Sequence, residues 1–154
     1  MNRLFHIIIT GLIVHSMNLS AQIKVYQPVK FLALGDSYTI GTSVSSDKAW
    51  PYQLGNSLSE KGYDVEKVSI IATTGWTTSD LKIAINSNNL GTEYNLVSLL
   101  IGVNNQYGGG SIENYEREFE DLLKEAIRLE KNKNQVFVLS IPDYGYTPYG
   151  KSNQ

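Results

Sequence analysis

Apolar residues follow two different rhythms along this chain. Val29–Leu34 is a run with little polar alternation, and Leu96–Ile101 is continuous except for Ser98. Such runs suit strands covered on both faces. Val65–Ile71 and Val136–Ile141 read as two further strands. Between them the spacing becomes helical. Trp50, Leu54 and Leu58 recur every fourth residue in Trp50–Lys61, with Pro51 suited to a first turn and Gly62 to a stop. A shorter helix is expected over Ser79–Ile85, capped by Thr78 or Ser79 and ended by the Asn-rich 86–89. Ser111 caps a long helix to Leu129, with Ile112, Tyr115, Phe119, Leu122, Leu123, Ala126 and Ile127 on one face and solvated charges on the other.

Strands alternating with helices predict an α/β chain with a parallel sheet. Right-handed crossovers then bring the loops after all four strands to one edge. The first loop opens with Gly35-Asp36-Ser37-Tyr38, where Gly35 breaks the strand and Ser37 lies just past its carboxyl end. The second holds Thr74-Gly75-Trp76, the third Gly102-Val103-Asn104-Asn105-Gln106-Tyr107, and the fourth Pro142-Asp143-Tyr144 through Tyr149.

Composition narrows the classes. A chain of 154 residues argues for one domain, and a net charge of −2 without a basic cluster argues against a nucleic-acid partner. The absence of cysteine excludes disulfides and thiolate catalysis. No His/Asp/Glu cluster suggests a metal, and no cofactor is expected. Residues 1–21 read as an export signal: Arg3 precedes the apolar Leu4–Met17, and Leu19-Ser20-Ala21 ends on a small residue. The apolar run is shorter than the roughly 20 residues that span a bilayer. A cleaved leader, a periplasmic or secreted location, no membrane span in the remainder and a domain over 22–154 are therefore expected. Both histidines, His6 and His15, fall inside the leader.

The four loops can supply parts of an acyl-transfer site. Ser after Gly-Asp suits a turn as readily as a nucleophile. With its neighbours, however, Ser37 can attack, while its own N–H, the Gly75 N–H and the uncharged Asn104 amide can receive an oxyanion. Asp36 is expected to fix the turn around Ser37 by side-chain hydrogen bonds rather than to do proton chemistry. Tyr38, Trp76, Tyr107, Tyr144, Tyr146 and Tyr149 either wall a pocket or pack the loops down.

Gly35-Asp36-Ser37-Tyr38, Gly75 in its loop, and Gly102-Val103-Asn104-Asn105 resemble, in order, the first three blocks of the SGNH or GDSL-type serine hydrolases. Asn105 stands where the family more often has Asp. The resemblance implies a flavodoxin-like α/β/α sandwich and hydrolysis of esters, including lipids and acylated carbohydrates. It also implies catalytic roles for Ser37, Gly75 and Asn104. From their place in the loops, Asp36, Tyr38, Trp76 and Tyr107 are expected beside the substrate. The family's fourth block, Asp-x-x-His, has no counterpart in 22–154, and Asp143 lacks a histidine to orient. The chain is therefore expected to be truncated, without the last strand and helix. A catalytically silent binding module, or an anion-binding domain using the amides near Ser37 and Gly75, suits the same loops.

Overall fold

The computed structural model describes residues 24–131, 135–145, 147 and 151. The expected leader at 1–21, with His6 and His15, and the loop tyrosines Tyr146 and Tyr149 lie outside the described residues. In chain order the elements are β1 (Val29–Gly35), α1 (Ser37–Ile40), α2 (Trp50–Glu60), β2 (Val65–Ala72), α3 (Thr78–Ser87), β3 (Leu96–Leu100), α4 (Val103–Tyr107), α5 (Ile112–Leu129) and β4 (Val136–Val138).

All neighbouring strands are parallel, in the order β2-β1-β3-β4. After β1 the chain steps to one side, then crosses to place β3 on the other. The switch point, where an open α/β sheet leaves a crevice at its carboxyl edge, lies between β1 and β3. Alternate residues of β1 face opposite layers. Leu32 and Leu34 pack with Val97 and Leu99 against Leu81 of α3 and Leu122, Ala126 and Leu129 of α5. Phe31 and Ala33 face the other layer with Leu58, Trp50 and Leu54 of α2. The result is a three-layer α/β/α arrangement. Its two-sided burial explains why β1 and β3 are apolar apart from Lys30 and Ser98.

Four features differ from expectation. First, α1 and α4 occupy stretches that read as loops, because one-turn helices are too short to show a periodic stripe. Second, the cap of α3 is Thr77, not Thr78 or Ser79. The Asp80 carboxylate accepts from Thr77 N at 2.9 Å and from its hydroxyl at 2.7 Å, forming a capping box. Third, on α5 the buried seam is Leu122, Ala126 and Leu129, whereas Ile112 and Ile127 are 60% and 46% exposed. Fourth, β4 stops at Val138 instead of Ile141. Leu139 N still donates to Leu99 O at 3.0 Å, but the next acceptor on that side, Ile101 O, receives the Tyr115 hydroxyl at 3.2 Å.

Candidate active site

Gly35 is paired with Ala72 on one side and Leu100 on the other, so β1, β2 and β3 end level with one another. No larger residue fits at 35: a Cβ there would meet the Thr39 hydroxyl and come within 2.5 Å of the Leu100 carbonyl. Asp36 then leaves the strand geometry and caps α1, accepting the Tyr38 N–H at 3.0 Å. Ser37 is thus the first residue of a helical turn, with an N–H that has no acceptor within the helix. Its carbonyl receives Gly41 N and Thr42 N, each at 3.1 Å.

The Asp36 side chain is 0% exposed, so the expectation that it faces substrate is corrected: it holds the turn that presents Ser37. Burial pushes its carboxyl up from the usual range, against the opposing hydrogen bonds from the Tyr38 and Asp36 backbone. Its Oδ2 has no hydrogen-bond partner among the described residues.

Beyond Ala72 the chain turns through Thr73–Trp76, with Trp76 N donating to Thr73 O at 3.3 Å. Gly75 has φ 84°, a left-handed geometry suited to glycine, and nothing stands within 4 Å of where its Cβ would be. Thr42 and Thr74 share a hydrogen bond between their hydroxyls, joining the loops after β1 and β2. Beyond Leu100, Asn104 is the second residue of α4. Its Nδ2 donates to the Trp76 carbonyl at 2.8 Å, joining the loops after β2 and β3. One of its two amide protons is used there, and the other has no acceptor among the described residues.

Residues 33–154 match the model of the GDSL-like lipase/acylhydrolase family. The chain belongs to this family. Solved structures agree on the fold. AlinE4, an SGNH-hydrolase family esterase, is 19% identical with a TM-score of 0.62, over 75% of this chain and 60% of that one. The esterase EstA of Pseudoalteromonas sp., in a structure inhibited by monoethylphosphonate, is 17% identical with a TM-score of 0.60, over 79% and 66% of the two chains. The acetyl xylan esterase AlAXEase is 19% identical with a TM-score of 0.55, over 81% and 67%. The chain therefore spans about 60% of the length of AlinE4. Among curated proteins, none matches.

This GDSL chain also carries a hydrogen-bonded cluster that sequence reading missed. Asn105 Oδ1 accepts from Thr78 N at 3.1 Å and its Nδ2 donates to Thr78 Oγ1 at 2.7 Å. The Thr78 hydroxyl, fully buried, donates to Glu118 of α5, and Ser79 donates to the other Glu118 oxygen at 3.1 Å. Glu118 read as part of a solvated helix face. The one available signal was Asn105 itself, amide in place of acid.

The aromatic residues split. Trp76 is half-buried and packs against the α3/α5 layer, and Tyr38 is half-buried. Tyr107 is 45% exposed, with its ring 4.7 Å from that of Tyr144. Asp143 accepts from Gly145 N at 2.8 Å, the behaviour of a turn residue. A cavity of about 300 Å³ opens between Gly102, Gln106, Ile112, Tyr115 and Ile141, beside the loop that carries Asn104 and not over Ser37. Among the described residues no cluster of His, Cys, Asp and Glu is arranged for a metal, and no helix is long and apolar enough to cross a membrane.

Proposed function

We propose that the chain hydrolyses carboxylic esters through Ser37, with the Ser37 and Gly75 N–H groups and the Asn104 amide receiving the oxyanion. One observation carries this reading. Three level strand ends place Ser37, Gly75 and Asn104 two, three and four residues beyond paired positions, and the Asn104–Trp76 hydrogen bond holds the amide beside the Gly75 turn. Donors set before reaction are the largest part of such catalysis, because they need no reorganisation as charge develops. Tyr38, Trp76 and Tyr107 wall the substrate side. Acylated carbohydrates and lipids are the substrate class, in keeping with the esterase names of the neighbours. Export follows from Arg3 and the apolar Leu4–Met17.

Histidine is the commonest general base for such a serine, and residues 22–154 hold none. Oxyanion donors and binding alone retain roughly 10³–10⁴ over water in serine proteases that lack a triad member. Hydrolysis of an aryl acetate by the full chain, measured with free imidazole as external base, tests the proposal. The expected result is an imidazole-dependent rate well above that of Ser37→Ala. Equal rates for the two proteins would overturn the nucleophile assignment. Saturable ligand binding without any such rate would favour a silent binding module.

A further inference from the structure

We propose that Glu118, acting through Thr78 and Asn105, is a positioning residue that sets the loop carrying Asn104. The proposal rests on the reading of Asn104 as an oxyanion donor. Two adjacent residues of α4 are bonded to two nearby residues where the turn after β2 leads into α3. Asn104 Nδ2 donates to Trp76 O at 2.8 Å, and Asn105 Oδ1 accepts from Thr78 N at 3.1 Å. The second bond also satisfies a first-turn N–H of α3, which has no partner within its own helix.

The direction of every proton in the cluster is fixed by chemistry. An amide nitrogen only donates, so Asn105 Nδ2 gives a proton to Thr78 Oγ1 at 2.7 Å. The single Thr78 hydroxyl proton must then go to Glu118, which acts as an acceptor and also takes the Ser79 hydroxyl at 3.1 Å. A flipped Asn105 amide would set its NH₂ against the Thr78 N–H. Glu118 thus holds the buried Thr78 hydroxyl, that hydroxyl orients Asn105, and Asn105 keeps its neighbour Asn104 over the Trp76 carbonyl.

The same logic explains why position 105 is an amide here. An Asp at 105 would lose the donation to Thr78 Oγ1 and would compete with Glu118 for one hydroxyl proton. Two carboxylates would then share a site with one proton between them, which disfavours both charges. With Gln at 118 the relay can run backwards. The Gln amide would donate to Thr78 Oγ1, and the Thr78 hydroxyl would donate to Asp at 105. A single carboxylate at either end is compatible with the site, and two are not.

The test is nuclear magnetic resonance of the ¹⁵N-labelled full chain, following the Asn104 side-chain amide and the Gly75 N–H. Asn105→Asp should shift the Asn104 amide signals and speed their hydrogen exchange by about tenfold, the order expected for losing a buried bond in a charged network. Thr78→Val should do the same. Asn105→Asp combined with Glu118→Gln should return both signals to their wild-type positions. Asn104 signals unmoved by Asn105→Asp, or moved equally in the single and double variants, would overturn the proposal. If Asn105→Asp does not fold, a folded double variant with wild-type Asn104 signals is the expected result, and an unfolded double variant overturns it. These signals need no turnover. Failure of the relay is therefore read separately from failure of the esterase reading, which would appear as a wild-type rate no higher than that of Ser37→Ala.

Discussion

The loops after β1, β2 and β3 and the loop after β4 lie along the same sheet edge but are held differently. The first three are joined across elements by directional bonds: Thr42 to Thr74, Asn104 to Trp76, and Asn105 to Thr78. Among the described residues of the fourth, Gly145 N donates to Asp143 and Thr147 N to Tyr144 O, and the Tyr107–Tyr144 ring pair meets α4. Hydrogen bonds between loops fix distance and angle together, whereas a ring pair tolerates a range of tilts. On the proposed reading, the groups assigned to chemistry belong to the cross-bonded part of the edge, and the tyrosine side is where substrates of different shape would be accommodated.

The strongest way to break the comparison is to remove a donor from the stitched side. Asn104→Ala should lower the imidazole-dependent ester hydrolysis by about 10²–10³, the loss typical of one oxyanion donor. A rate within twofold of wild type would show that the amide serves only as a stitch. Gly35→Ala strikes the same side through packing. Its methyl collides with the Thr39 hydroxyl and the Leu100 carbonyl, so urea unfolding should show a loss of about 2–3 kcal/mol.

Asp36 separates capping from charge. Asp36→Ala removes the cap of α1 and should cost about 1 kcal/mol. Asp36→Asn keeps an acceptor for Tyr38 N–H and has no charge to bury. Because burial raises the carboxyl above its unfolded-state value, its favourable contribution is full below the unfolded value and is lost as pH rises through the folded one. Unfolding curves across pH should therefore show Asp36→Asn gaining on wild type as pH rises through that window. A constant difference would mean that the carboxyl does not titrate between the two states.

The smallest effect is expected on the other side. Tyr144→Ala should cost about 1 kcal/mol or less, because it removes one ring pair at a half-open edge. It should change relative rates among acyl or sugar esters more than the rate on aryl acetate. An aryl acetate rate as low as that of Asn104→Ala would erase the distinction between the two regions.

Strand and helix boundaries were legible where an element is buried on a regular stripe. The runs Val29–Leu34 and Leu96–Ile101 and the seam Trp50, Leu54 and Leu58 all met the core. Boundaries set by one long-range bond were not. β4 ends early, beside an Ile101 carbonyl that Tyr115 already engages, and α3 is capped by Thr77 while Thr78 turns inward to Glu118. That Ser37, Gly75 and Asn104 lie on one sheet edge could be read from motif order, since each follows a strand and strand ends converge by topology. The turn role of Asp36 could be read from its place after Gly35, whereas only its burial removes it from the substrate side.

By itself, the sequence determined the alternation of strands and helices, the parallel sheet, and the edge on which the polar loops gather. Each follows from local spacing and from the handedness of L-residues. Only the tertiary structure decided which loop bonds to which, that Asp36 lies inside, and that a glutamate on α5 stands behind Asn105. Those contacts join residues 27 and 40 positions apart. No local pattern encodes them, because a hydrogen bond depends on where two backbones have already been brought.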